Sequence, residues 1–242
     1  MELSLYIYLY IIVTGLIMGS FLCCWAYRVC HNDSILKGHS KCDNCGRILK
    51  TVDLIPVVSY LLSKGRCRYC NSRINVCYPL GEIVCAVAYF LIVNTFGLTV
   101  ETLQYVILFS ICLAISFSDI ESYYVPPVFI IIGLLNRAVF ILIYNIGVLN
   151  MSGCLVSIGV FMVSVIMKKI TGKDVIGDGD IKLLFMLGMY SAWYDSVLAL
   201  FVSSLLGLMF ILTDMKKYKN RMFPFAPCIC LGHLIILLIN NI

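Results

Sequence analysis

Charge is scarce in this chain. Only 13% of its 242 residues are Asp, Glu, Lys or Arg. A soluble domain carries about a quarter. Hydrophobic residues make up 61%, and mean hydropathy is +0.97. This excludes a soluble core with a single anchor and points to an all-α polytopic membrane protein. No Gly-Lys-Ser or Gly-Lys-Thr occurs, so a phosphate-cradling loop has no sequence basis. The three histidines, His31, His39 and His233, show no ligand spacing. There is no low-complexity tract and no convincing internal repeat.

What is present is a series of apolar runs. A crossing takes roughly 20 apolar residues. Eight segments qualify as candidates: Leu3–Tyr27, Tyr78–Phe96, Leu103–Phe117, Val128–Ile146, Cys154–Met167, Ile181–Trp193, Val197–Leu212 and Phe225–Ile239. The first has no basic n-region, is too long for an h-region and ends without a small-residue cleavage site, so it reads as a membrane helix rather than a removable signal.

Basic residues are missing altogether from one set of loops, which carry Glu2, Glu101 and Asp195. Of the 18 Lys and Arg, nine (Arg28, Lys37, Lys41, Arg47, Lys50, Lys64, Arg66, Arg68, Arg73) belong to the loop after the first helix. Lys168, Lys169, Lys173 and Lys182 flank the loop before the sixth, and Lys216, Lys217, Lys219 and Arg221 precede the eighth. Arg137 alone falls within a helix. The positive-inside rule makes the basic loops cytoplasmic and both termini external. The net charge of +5 is therefore a topology signal. It points to membrane lipid as a partner rather than nucleic acid.

One hydrophilic stretch, residues 30–77, is long enough to form a small module between the first helix (1–29) and the remaining membrane domain (78–242). Such a module is too small for a large apolar core and needs a cross-link. Cys42-Asp43-Asn44-Cys45 and Cys67-Arg68-Tyr69-Cys70 supply two CxxC pairs, 21 residues apart. Paired knuckles of this kind offer Zn²⁺ four thiolates, in a zinc-ribbon-like site. Two disulfides or a redox dithiol pair are the alternatives, and a reducing cytosol disfavours the disulfides. Four cysteines leave no open coordination position, so the metal would be structural. The other cysteines, mostly in apolar runs, read as small packers.

Two carboxylates stand at helix ends. Asp119 closes the third apolar run and Asp180 opens the sixth, in Gly177-Asp178-Gly179-Asp180-Ile181-Lys182. Tracing the chain puts both on the cytoplasmic side. A carboxylate beside a long apolar segment is a functional candidate, and two facing each other suffice for aspartyl-type peptide hydrolysis. Helix polarity would favour a proton on Asp119, at a helix C-terminus, and charge on Asp180, at an N-terminus. Gly177 and Gly179 suit a tight turn that delivers Asp180. An ordinary loop before an Asp-capped helix is the competing reading. An ion-coupled transporter relaying protons through its acids is the alternative function, but both acids sit at the membrane edge and no matching pair of broken segments is present.

In order, these residues resemble the type IV prepilin peptidases, or prepilin leader peptidases. The resemblance runs through Gly19-Ser20-Phe21-Leu22, the two CxxC knuckles, Asp53-Leu54-Ile55-Pro56, Ser59-Tyr60, Gly65-Arg66, Tyr78-Pro79-Leu80-Gly81-Glu82, Asp119 seven residues before Pro126, Gly177-Asp178-Gly179-Asp180 with Lys182, and Phe223-Pro224-Phe225-Ala226-Pro227. It implies a multi-pass aspartic peptidase of the bacterial cytoplasmic membrane. Asp119 and Asp180 would be catalytic and Gly177, Gly179 and Lys182 would form the active-site loop. The substrates would be prepilins or pseudopilins, cut after a short basic leader on the cytoplasmic side. It also implies N-methylation of the new terminus with S-adenosylmethionine, for which Glu82 is a candidate alongside a structural role. The sequence departs from the pattern at Cys23, at Pro127 and at Asp178.

Overall fold

The structure, a computed structural model, describes residues 2–31, 33–34, 39–144, 151–172, 176–213 and 223–241, with side chains from Leu5 onward. Lys37, Lys173, Lys216, Lys217, Lys219, Arg221 and the end of the fourth predicted span lie outside the described residues.

The described residues are predominantly α-helical and contain no strand. Nine helices follow in order: α1 (Glu2–Cys30), α2 (Val58–Leu62), α3 (Cys77–Phe96), α4 (Val100–Ser122), α5 (Pro127–Tyr144), α6 (Cys154–Thr171), α7 (Asp178–Gly188), α8 (Trp193–Thr213) and α9 (Ala226–Ile239). Six of them (α1, α3, α4, α5, α6 and α8) are long and apolar enough to cross a membrane. At 11 and 14 residues, α7 and α9 fall short of a full-length span. The sixth predicted segment starts three residues earlier than expected and stops at Gly188. There the chain meets the backbone of Gly153: a Cβ at Gly188 would lie 2.6 Å from the Gly153 carbonyl. The chain turns at this crossing and α8 then begins.

The core is built by α1, α3, α4, α5, α7 and α9, around Ile92, Leu108, Ile115, Phe129, Leu183, Met186 and Ile229. α1 lies along α3 through small residues: a Cβ on Gly15 would sit 2.6 Å from Ala86 Cα, and one on Gly19 2.7 Å from Glu82 Cα. Cys23, one of the departures, is buried against Gly81. Large apolar side chains remain exposed along α5, α6 and α8, which suits a lipid-facing surface.

α4 opens with a capping box in which Thr99 and Thr102 exchange backbone and side-chain hydrogen bonds. It closes where Tyr123, at φ 53°, donates its N–H to the carbonyl of Asp119 at 2.9 Å. Pro126 is fully buried and Pro127 opens α5. A proline is at home there because its missing N–H would have had no helical acceptor. This second departure is thus a helix-start residue.

Between α1 and α3 lies the cysteine module, which contains a 3-10 turn (Thr51–Leu54) and α2. Its two knuckles have the same construction. Isolated bridges Lys41–Ile48 and Arg66–Arg73 bracket them. Gly46 N–H bonds Cys42 O at 2.8 Å, and Asn71 N–H bonds Cys67 O at 2.9 Å. Gly46 and Asn71 both take positive φ, 68° and 59°. Asp53 ties the halves together: its carboxylate meets Arg68 Nε at 3.3 Å and accepts from Tyr69 Oη at 2.9 Å and Lys50 N–H at 3.1 Å.

Candidate active site

Asp119 is buried in the last turn of α4. Its Oδ2 accepts the backbone N–H of Ala226 at 3.0 Å. Ala226 is the first residue of α9, and Phe225 before it provides no side-chain cap. The leading N–H groups of a helix lack internal acceptors, so α9 presents an unclaimed donor and Asp119 takes it. The sequence reading missed Ala226 as a site residue. The available signal was the proline-rich entry Phe223–Pro227 into an apolar helix without a Ser, Thr, Asp or Asn cap.

Asp180 lies in the first turn of α7, partly buried, and close enough to Asp119 for the two carboxylates to interact electrostatically. Gly177 is the N-cap of α7, and its carbonyl accepts from Asp180 N–H at 3.0 Å and Ile181 N–H at 3.2 Å. Gly179 lets α7 rest on the α4–α5 turn: a Cβ there would lie 2.9 Å from Val125 Cβ and 3.0 Å from its Cγ2. Asp178 and Lys182 are exposed at the rim.

The bottom of α7 is held separately. Tyr190 Oη donates to Gly133 O at 2.6 Å and accepts from Asn136 Nδ2 at 2.9 Å. Arg137, buried in α5, places Nη1 3.5 Å from Gln104 Oε1 and its guanidinium 5.2 Å over the Tyr190 ring. The intramembrane arginine therefore meets an amide and an aromatic face in a network joining α4, α5 and the end of α7.

Among the described residues Glu82 bonds Val57 and Ser20 rather than either aspartate. It is buried in α3, where Oε2 accepts Val57 N–H at 2.6 Å and the carboxylate takes a hydrogen bond from Ser20 of α1. Val57, a β-branched residue, stands at φ 59°. That conformation is strained for its type. Glu82 thereby fastens the cysteine module to both α1 and α3.

Cys42, Cys45, Cys67 and Cys70 come together, their four Sγ atoms all within 4.8 Å of one another. Cys42 and Cys70 Sγ are 3.8 Å apart. A tetrahedron with metal–sulfur bonds of about 2.3 Å has edges of about 3.8 Å. The cluster could hold a metal ion.

Comparison with known proteins agrees with this layout. A sequence model described as the Bacterial Peptidase A24 N-terminal domain matches residues 13–96, and one described as the Type IV leader peptidase family matches residues 106–212. A prepilin leader peptidase/N-methyltransferase of Bacillus subtilis (strain 168) is 31% identical over 227 residues, covering 92% of this chain and 90% of that protein. This chain belongs to the type IV leader peptidase family. Other relatives of the same name are found in Myxococcus xanthus (strain DK1622), 30% identical over 82% of this chain and 60% of that protein, and Neisseria gonorrhoeae, 27% identical over 95% and 89%. No solved structure matches the chain. Membership of the leader peptidase family replaces the transporter reading. Both aspartates fall within residues 106–212, the part matched by the Type IV leader peptidase model.

Proposed function

We propose that this protein cleaves the leader peptide from type IV prepilins or pseudopilins and N-methylates the new amino terminus. What supports the peptidase reading is that Asp119 stands at the end of α4 while Asp180 opens α7, and α7 packs through Gly179 on Val125, six residues past Asp119. We count α7 and α9 as shortened crossings, which makes eight, and take the basic face as cytoplasmic. The organism's inner membrane is the expected location. In this reading residues 1–29 form the first crossing, 30–77 the cysteine module and 78–242 the peptidase domain.

The N–H of Ala226 gives Asp119 a donor suited to a charged acceptor. This argues against the polarity of its own helix, and the proposed roles follow the hydrogen bond. Asp119 takes a proton from water as the water oxygen attacks the scissile carbonyl carbon. Asp180 donates a proton to the carbonyl oxygen. As the tetrahedral adduct collapses, the C–N bond breaks, the proton held by Asp119 passes to the leaving amine, and an adduct hydroxyl returns a proton to Asp180. Gly177 and Gly179 set the approach of α7, and Lys182 lies two residues on at the rim. The four cysteines fit a structural Zn²⁺, which would tie the knuckles together and take no part in hydrolysis.

Co-expression with a prepilin, followed by mass spectrometry of the product, tests this reading. Cleavage should be lost in both Asp119→Asn and Asp180→Asn. A variant of either aspartate that still cleaves would overturn the paired mechanism.

A further inference from the structure

The cysteine module presents an apolar face along its 3-10 turn and α2. Val52, Ile55, Val58, Leu61 and Leu62 all fall within residues 52–62, and all are exposed. Leu61 and Leu62 keep 68% and 70% of their surface open. An exposed apolar cluster of this kind marks contact with a protein or with a membrane. Its depth decides between them. α3 has 20 residues. At 1.5 Å per residue that is about 30 Å, the thickness of the hydrocarbon with no turn to spare. A crossing by α3 therefore leaves Cys77 at the hydrocarbon edge, and Glu82 lies five residues further in, by roughly 7 Å. Ser20, which also bonds the Glu82 carboxylate, precedes Arg28 in the last turn of α1 by eight residues, and so lies roughly 12 Å inward of it.

Val57 stands immediately before α2 and donates its N–H to Glu82 at 2.6 Å. The start of α2 is thus held inward of the level at which α1 and α3 leave the membrane. At that level α3 turns Leu80, Ile83 and Val84 outward. The charges around the apolar face are of one sign. Lys50, Lys64 and Arg66 are exposed at its ends. Asp53 is the one acid between positions 50 and 66, and its carboxylate is engaged by Arg68, Tyr69 and the Lys50 N–H. Basic residues bordering an apolar face suit the boundary between anionic headgroups and acyl chains.

We propose that the 3-10 turn and α2 form an interfacial anchor, embedded in the membrane face on which the module stands. Leu61 and Leu62 lie among the acyl chains, and Lys50, Lys64 and Arg66 meet anionic headgroups. The module is then moored twice, by Glu82 within the fold and by lipid outside it, which limits its swing relative to the ends of α1 and α3. This anchor does not depend on the hydrolytic roles proposed for Asp119 and Asp180.

The test uses the full chain in bilayers. Trp25→Phe and Trp193→Phe remove both native indoles, and Leu62→Trp then places a sole emitter on the face. Phospholipids brominated near the headgroup end of the acyl chain should quench it at least twofold more than those brominated near the chain terminus, and aqueous iodide should quench it little. Adding phosphatidylglycerol to phosphatidylcholine bilayers should shift its emission to the blue, and combining Lys50→Gln, Lys64→Gln and Arg66→Gln should abolish that shift. With the unmodified chain, a phospholipid carrying a diazirine high on its acyl chain should label peptides within 50–66. Strong iodide quenching with water-like emission, or no lipid label on 50–66, would overturn the anchor. Protection from iodide without quenching by brominated lipid would also overturn it, by assigning the face to a protein partner or a second copy of this chain. Emission indifferent to phosphatidylglycerol would overturn the role of the basic residues.

Discussion

Replacing Gly179 by Ala tests how finely α7 must sit. The added Cβ would lie 2.9 Å from Val125 Cβ and 3.0 Å from Cγ2. Carbon atoms pack at about 3.5–4.0 Å, so α7 or the α4–α5 turn must yield by roughly 0.6–1 Å. Neither partner is the loose end of a long side chain: Val125 is stiff at χ1, buried, and followed by a fully buried proline. The displacement therefore falls on the first turn of α7, which carries Asp180. A misplacement of about 1 Å costs on the order of a hundredfold in rate, whereas overpacking costs about 1–3 kcal/mol in stability. In a prepilin cleavage assay with purified enzyme, Gly179→Ala should lower kcat about a hundredfold with the protein still folded. Val125→Gly removes both contact atoms and should recover at least tenfold in the double variant. Val125→Ala removes only the Cγ contact and should recover less. Gly177→Ala is the internal comparison, because its Cβ would meet only the Asp180 carboxylate, at 3.2 Å. Full activity in Gly179→Ala, or no recovery with Val125→Gly, would refute this reasoning.

Three further outcomes are expected. The Ser72 hydroxyl beside Cys70 pulls that thiol down to about 6, which favours the thiolate at neutral pH; any Zn²⁺ the four cysteines bind should be released on acidification, and Ser72→Ala should shift the release midpoint upward in a dye assay. A midpoint unmoved by Ser72→Ala would contradict this. Tyr190→Phe removes the hydroxyl joining Gly133 to Asn136 and should cost about 1 kcal/mol, read as a fall of about 2–4 °C in detergent-solubilised Tm. An unchanged Tm would mean the network does not hold α7. Glu82→Ala should free Val57 N–H and speed amide exchange across 55–62, while Glu82→Gln, which keeps an acceptor, should exchange more slowly than the alanine variant; equal rates in the two would remove Glu82 as the module's anchor.

Helix positions were legible because they depend on a local quantity, run length; the basic count that is zero on one side supplies the expectation of sidedness on equally local grounds. The CxxC pairs were legible for the same reason, since each knuckle closes over a few residues. The aspartates could be placed at one membrane level but not side by side, because lateral neighbours depend on packing among α4, α7 and α9. The Ala226 contact was hidden for a different reason: its donor is a main-chain N–H and so carries no residue signature. Arg137 was the one basic residue within a predicted helix, but Gln104 and Tyr190 lie 33 and 53 residues away in sequence and only the fold selects them. For Glu82 the sequence leaves two roles open, and the fold adds Val57 N–H and Ser20 as partners of its carboxylate.

The unequal lengths of α8 and α9 have a consequence for the substrate. Asn240, just past α9, meets Asp195 in the first turn of α8, so the two helices are flush at that end. At the other end Phe225 is level with Gly207, six residues before α8 stops. At about 1.5 Å per residue, Ala226 and the carboxylate it holds are recessed by roughly 9 Å. A polypeptide reaching Asp119 alongside α8 would have to pass nearly two turns of that helix first.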